Sequence, residues 1–448
     1  MTALVPFAYQ RAAASKICGS ALALYNVFEP GLGKSCTAIL VARDRGFRRI
    51  LIACPMSALY SWRKELAKFW PGHPPVTIVR TVGDARAMAR DGVFLVTYGL
   101  LSRSKPLVEW IRAAPVFDLC VMDEAHALKN PSANRTKALL SELRRSYRLA
   151  HPMSATPAPN HAGELWPVLR SLRPDLIQGA NGEAMTRAEF EGRYCETRDI
   201  RVSGRTITTI VGTKNANELR ERLKGFFLRE TKANVLKDLP PLDFVNVPVQ
   251  IAEPERFATV GQLIESGEDD DDILEHARMM ANSTRYRDLG VAKAPMAAEY
   301  VRDMLDGGVE QVTVWAVHHD VIDYLSLHLG DYGVSVLDGR HSPASRAAGI
   351  ESFVQGRNRV FLGQITAGGT AITLSGGAKK CCDAVFVETD FSPKMNWQAA
   401  CRIHRIGQRD GVLARFMSAA DTYDDRIQEI LARKSKDFSD VFEMEDAL

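Results

Sequence analysis

The eight cysteines, at positions 18, 36, 54, 120, 195, 381, 382 and 401, include no CxxC pair and no spaced set with histidine. That lack argues against a zinc module and a disulfide framework, and leaves reduced, buried thiols. No uninterrupted apolar stretch reaches the roughly 18 residues of a membrane span. MTALVPFAYQRAAA has no basic segment before an apolar run, so neither secretion nor membrane insertion is expected. The location expected is cytoplasmic, at a prokaryotic or viral host nucleoid, or nuclear if the source is eukaryotic. Charge of one sign is missing too: 57 Lys and Arg against 54 Asp and Glu leave a net +3. A local cleft could bind nucleic acid with that balance, but no strongly basic surface is implied. There is no low-complexity tail and no long linker. What is present is the composition of a globular protein, 46% hydrophobic and 25% charged over 448 residues. That length exceeds one core and predicts two domains of roughly 200 residues each.

Short apolar, β-branched runs recur, each ending in a polar or glycine-rich cluster. ALYNVFE leads to Gly31, RILIAC to Pro55, GVFLVT to Tyr98, DLCVM to Asp123 and YRLAHPM to Ser154. Amphipathic stretches such as CTAILVARDR and ALYSWRKELAKFW lie between them. Strand and helix alternating in this way predict an α/β fold of parallel sheets flanked by helices. Ligands bind such sheets at the carboxyl ends of the strands, so the clusters belong to one site. The rhythm restarts after about residue 290 with QVTVWAV, GVSVL, RVFLGQI, DAVFVE and VLARFM. Residues 1–245 are the first lobe, with a helical and hairpin insertion at about 160–240. The hairpin RDIRVSGRTITTIV turns at Ser203 and Gly204. Residues 246–448 are the second lobe, with a helical insertion at about 253–290 and a C-terminal brace helix. Pro240 and Pro241 mark an extended crossover. The acidic run Glu268 to Asp272 is a solvated tip, since no calcium-loop glycine and glutamate follow it.

FEPGLGKS, from Phe28 to Ser35, reads as a phosphate-cradling loop. Backbone N–H groups of Gly31, Leu32 and Gly33 approach a polyphosphate, Lys34 supplies a cation, and the Ser35 hydroxyl can hold Mg²⁺. Phe28 stands where the GxxxxGK[ST] pattern wants glycine. In DEAH, Asp123 can hold the Mg²⁺ shell while Glu124 orients and deprotonates the attacking water. Ser154 and Thr156 of SATP could link that site to a bound strand, and Gln10 could read an adenine edge. TAGGT, with Thr366 and Gly369, offers close backbone approach to phosphate. In QAACRIHRIGQ a helix would place Gln398, Arg402 and Arg405 on one face. Arg402 and Arg405 would then stabilise charge on the transferring phosphoryl group as fingers reaching across the cleft.

These segments, in this order, resemble the helicase superfamily 2 motor of the Swi/Snf type. EPGLGKS, IACPMSALYSW, VTYGLL, DEAH, SATP, TAGGTAITLS and QAACRIHRIGQ are similar to successive family motifs. NANELRERLKGFFLRETKANVLKDLP resembles the family's inserted helical region and its LRR-K-V-LP segment, and VAKAPMAAEYVRDML followed by VTVWAVHHDVIDYL is most similar to the HARP-type annealing helicases within it. The resemblance covers nearly the whole chain. It implies two tandem RecA-like lobes reduced to the motor core, and a monomeric, DNA-stimulated, ATP- and Mg²⁺-dependent translocase on double-stranded DNA. It further implies that Lys34, Ser35, Asp123, Glu124, Arg402 and Arg405 form the ATPase set. Ser57, Thr97, Tyr98, Arg340, Thr366 and Trp397 would contact the DNA backbone. Pro30, Ser35, Ala155 and Ala371 depart from the family pattern without removing a group the chemistry needs. A strand-separating or RNA-directed motor, or a non-catalytic DNA scaffold, are the alternatives; a recruiting partner is not legible.

Overall fold

The computed structural model describes residues 5–158, 161–202, 205–236, 239–257, 284–365, 372–375, 377–420 and 422–444. They fall into two compact units, Met1–Thr231 and Lys232–Met444.

The first unit contains β1 (Tyr25–Asn26), β2 (Arg49–Cys54), β3 (Val76–Ile78), β4 (Gly92–Thr97), β5 (Phe117–Asp123) and β6 (Tyr147–Met153). Further along, β7 (Cys195–Val202) and β8 (Arg205–Thr213) form an antiparallel hairpin, and β9 (Phe227–Leu228) returns to the main sheet. That sheet runs β3-β4-β2-β5-β6-β1-β9, with every pairing parallel. Helices cover both faces, which is why the strands are continuous apolar runs: Ile50, Leu51, Ile52, Ala53 and Cys54 are all 2% exposed or less. The helix Lys34–Asp44 is buried almost all round, from Cys36 to Ala42. Helix Leu59–Phe69 instead turns Leu59, Trp62, Leu66 and Phe69 inward at the spacing of one face.

The second unit has β10 (Leu242–Val249), β11 (Gln311–Ala316), β12 (Val334–Leu337), β13 (Val360–Gln364), β14 (Cys381–Phe386) and β15 (Val412–Ala419). They order as β10-β15-β14-β11-β13-β12, again all parallel. In mid-sheet, Gly363 is required by its neighbour, since a Cβ there would fall well inside contact distance of the Trp315 ring. The C-terminal helix Tyr423–Met444 packs on β10, β15 and the helix Pro393–Ala400. A buried ion pair fastens it, with Lys293 Nζ 2.8 Å from Asp424 Oδ2 and both side chains within 1% of full burial.

One sequence expectation differs here. The boundary falls at Thr231/Lys232, not near residue 245, because β10 pairs along its whole length with β15. Pro240 and Pro241, expected to mark an extended crossover, lie in irregular chain that leads into the eight-residue edge strand β10. The hairpin turn residues Ser203 and Gly204, the acidic run Glu268–Asp272 and most of the 253–290 insertion lie outside the described residues.

Candidate active site

Strand register sets the expected clusters of the first unit at one level. Asn26 is opposite Met153, and Met153 is opposite Asp123. Ala53 is opposite Met122 and Cys54 opposite Thr97, so the loops after β1, β2, β4, β5 and β6 leave the sheet along one edge. Parallel strands gather their ligands at that edge.

The loop after β1 turns at Gly31 and Gly33, with φ of 93° and 83°. Left-handed backbone at these two points favours glycine and explains why Phe28 is tolerated earlier, since no left-handed turn is needed there. Gly33 caps the helix Lys34–Asp44, whose first N–H groups and dipole favour an anion. Lys34 Nζ donates to the Phe28 carbonyl at 2.9 Å, closing the loop on itself. Gln10 braces the loop from outside: Nε2 donates to the Leu32 carbonyl at 3.0 Å, and Oε1 accepts from Phe7 N at 3.0 Å. The Tyr9 hydroxyl donates to the same Leu32 carbonyl at 3.0 Å. Gln10 is thus engaged as a buried strut of the loop.

Asp123 ends β5 and is 5% exposed. Burial, then the Glu124 charge, push its carboxyl up to about 7, against the pull of Trp62 and Lys34. The indole Nε1 of Trp62 donates to Asp123 Oδ2 at 2.9 Å, and the Tyr98 hydroxyl donates to the Asp123 carbonyl at 2.7 Å. Glu124 has left-handed backbone, φ 53°, uncommon for a non-glycine and concentrated at functional sites. His126 Nδ1 lies 3.2 Å from Glu124 Oε2 and 2.9 Å from Ser154 Oγ. Ser154 Oγ in turn lies 3.4 Å from Glu124 Oε2 and accepts from Thr156 N at 3.2 Å. SATP is therefore wired to the DEAH segment. Among the described residues no three His, Cys, Asp or Glu converge on a metal position. A buried carboxylate held above its ordinary range fits a hard cation that completes its shell with phosphate and water, as Mg²⁺ does.

Several expected contacts sit elsewhere. Thr97 is buried, with Oγ1 accepting from Leu100 N at 3.2 Å as a helix cap. Tyr98 is buried beneath Asp123, so neither side chain presents itself to a strand. Trp397 is fully buried in the second core, because its helix turns that face onto the sheet. Arg340 is held by two carboxylates, at 2.6 and 2.8 Å from Asp323 and at 2.6 and 2.9 Å from Asp338. The Ser57 side chain, Thr366 and Gly369 lie outside the described residues.

The shared helix face at 398–405 is also corrected. The helix stops at Ala400, and tight turns carry the chain on: Arg402 N donates to Ala399 O at 3.1 Å and Ile403 N to Ala400 O at 3.2 Å. Arg402 is 5% exposed. Arg405 lies nearer the surface, its Nε donating to Cys401 O at 3.0 Å and its Nη1 to Thr373 Oγ1 at 2.8 Å. Gln408 ties the end of the turn to Cys381 O at 2.8 Å.

Two residues that lie in motif segments but had no role assigned from the sequence shape these sites. Trp62 had only its inward helical position as a signal. Lys232 is 2% exposed, with Nζ 3.3 Å from Cys401 Sγ and 3.1 Å from His404 Nδ1.

All-parallel sheets with polar loops gathered at the strand ends define an α/β protein that binds ligands at that edge. Residues 19–258 match the SNF2-related domain, and the chain belongs to that family. It is 28% identical over 416 residues to the Caenorhabditis elegans "SWI/SNF-related matrix-associated actin-dependent regulator of chromatin subfamily A-like protein 1 homolog", covering 91% of this chain and 57% of the relative. It is 26% identical to the human "DNA annealing helicase and endonuclease ZRANB3", covering 91% and 38%. The chain thus spans about half or less of the length of these curated relatives. Among solved structures it is similar to the Sulfolobus solfataricus SWI2/SNF2 ATPase core in complex with dsDNA, with a TM-score of 0.43, 20% identity, and coverage of 99% of this chain and 97% of that one. No described helix is long and apolar enough to cross a membrane.

Proposed function

We propose that this chain is an ATP-hydrolysing motor core that moves along double-stranded DNA and thereby remodels DNA or displaces bound protein. The observation that carries the reading is the common level of Asn26, Met153 and Asp123. It sets the glycine-turned loop and the adjacent carboxylates on one sheet edge. Membership of the SNF2-related family supports the same reading, and the relatives' names speak of annealing DNA and of chromatin.

In this proposal the loop amides and Lys34 take the triphosphate, with Lys34 exchanging its Phe28 carbonyl for phosphate oxygen. Ser35 and Asp123 would hold Mg²⁺, which supplies charge neutralisation at the phosphates when bound. Glu124, steadied by His126 and Ser154, would orient the attacking water. Arg402 and Arg405 are assigned as counter-charges to the phosphoryl group in the hydrolysing state. Ser57 and Thr366 remain candidates for the DNA backbone. Phosphate-dominated binding would be largely sequence-independent and would fall steeply with salt.

ATP hydrolysis measured with duplex, forked, single-stranded DNA and RNA, beside strand-separation and triplex-displacement assays, tests this. Duplex-stimulated hydrolysis with triplex displacement and no strand separation is expected. Stimulation by RNA alone, or efficient unwinding, would replace the duplex translocase with the other motor classes. No hydrolysis under any of these conditions would leave a DNA-binding scaffold.

A further inference from the structure

We propose that Lys232 is a positioning residue for the arginine turn, acting through Cys401 and His404 to set Arg402 and Arg405. The proposal rests on the assignment of those arginines to the phosphoryl group.

The bonding pattern determines the state of His404. Its Nε2 lies 2.7 Å from the Pro240 carbonyl, which can only accept, so Nε2 carries the proton. Its Nδ1 lies 3.1 Å from the Lys232 ammonium, which can only donate, so Nδ1 is the acceptor. A second proton on the ring would set two cations against each other in a buried place. His404 is thus a neutral imidazole in one tautomer, and burial and the Lys232 charge hold its pKa down at about 3. The same ammonium contacts Cys401 Sγ at 3.3 Å and lies 6.0 Å from the Trp397 ring centroid.

Cys401 and His404 each immediately precede one of the arginines in sequence. Cys401 also offers its carbonyl to Arg405 Nε at 3.0 Å, while the Arg402 carbonyl accepts from Leu374 N at 3.0 Å. One end of segment 232–240 therefore grips the turn with an ammonium and the other with a carbonyl. A lysine buried to this degree loses its hydration, and the Cys401 sulfur, the Trp397 ring and the His404 lone pair are among the groups that replace it. These side-chain contacts add to the backbone hydrogen bonds of the turn in fixing it beyond the helix end at Ala400.

The test is a double-mutant cycle on DNA-stimulated ATP hydrolysis, with thermal melts to establish that each variant is folded. Lys232→Met is expected to lower kcat about tenfold or more, with KM for ATP within about twofold. On an Arg405→Ala background the same change should cost less than about twofold, because residues acting as one unit are not additive. His404→Gln supplies an acceptor and a donor at similar places and should stay within about threefold of the parent, whereas His404→Ala should fall as Lys232→Met does. This pair keeps the test open should Lys232→Met not fold. An unchanged kcat in Lys232→Met while Arg405→Ala is slow, an equal loss on both backgrounds, or equal damage from His404→Gln and His404→Ala, would each overturn the positioning role. Unchanged kcat in both Arg402→Ala and Arg405→Ala would instead remove the arginine assignment and this role with it.

Discussion

The indole of Trp62 donates to the carboxylate of Asp123 across 61 positions of sequence, at 2.9 Å, with both residues buried. The bond stabilises the charged form of a carboxyl that burial drives the other way, so the tryptophan tunes the group proposed to hold the metal.

Trp62→Phe should keep most of the packing and lose that bond. A hydrogen bond to a charged group is worth roughly 1.5–3 kcal/mol, so Asp123 should need about one to two pH units more to ionise. With Asp123 already near 7, the acid limb of the ATPase pH profile, taken at low Mg²⁺, should move upward. An unmoved limb would show that Asp123 ionisation does not limit the rate.

Lys34→Ala and Glu124→Gln should each reduce ATP turnover by about 10² or more, as expected when a charge-stabilising or water-orienting group is lost, while duplex binding is retained. Filter binding and a coupled ATPase assay would check both halves. Normal turnover in either variant would place the chemistry elsewhere.

Gly33→Ala should strain the loop twice. Its φ of 83° disfavours a side chain, and the new Cβ would fall on Gln10 Nε2, leaving the Leu32 carbonyl with the Tyr9 hydroxyl but without the Gln10 amide. A stability loss of roughly 1–2 kcal/mol and weaker ATP binding are expected. Calorimetry and nucleotide titration measure them separately; Gln10→Ala should weaken nucleotide binding with less effect on stability.

Asp424→Ala should leave Lys293 buried without its carboxylate and cost roughly 3–5 kcal/mol. For a unit of this size that is a fall of roughly 10 °C in melting temperature. The double change Lys293→Met with Asp424→Leu should recover much of it, and a melting curve for each variant decides the matter.

Acid should weaken the first unit through His151. It is fully buried, and its pKa is lowered by that burial from 6.5 to about 4. Between those values the unfolded chain takes up a proton that the folded chain does not, so stability is whole above about 6.5 and declines as pH falls toward 4. The loss approaches roughly 3 kcal/mol at the acid end. Chemical denaturation at several pH values should show a shallower decline in His151→Leu.

Central strands were legible because burial on both faces makes them unbroken apolar runs, as in Ile50–Cys54 and Val93–Val96. The polar residue that ended each run marked the edge where the loops gather. β10 was not legible, because an edge strand with Asp243, Asn246 and Pro248 lacks that pattern. In the arginine segment the spacing of Gln398, Arg402 and Arg405 suits a helix, but the helix ends at Ala400 and tight turns take over there. Thr97, Tyr98 and Trp397 lie on motif segments but point inward, which spacing alone could not reveal. Trp62 and Lys232 lie in motif segments, but their roles were hidden because their partners Asp123, Cys401 and His404 are distant in sequence.

The sheet order also has a consequence for biosynthesis. β1, at residues 25–26, lies between β6 and β9, at 147–153 and 227–228. A chain emerging from its amino end displays the glycine-turned loop early, yet the strand that anchors it has both neighbours only after residue 228 has been made. The second sheet repeats the arrangement, since its first strand, β10, waits for its last, β15. Each unit must therefore hold an unpaired strand open for most of its own synthesis, the interval in which exposed edges invite aggregation and chaperone capture.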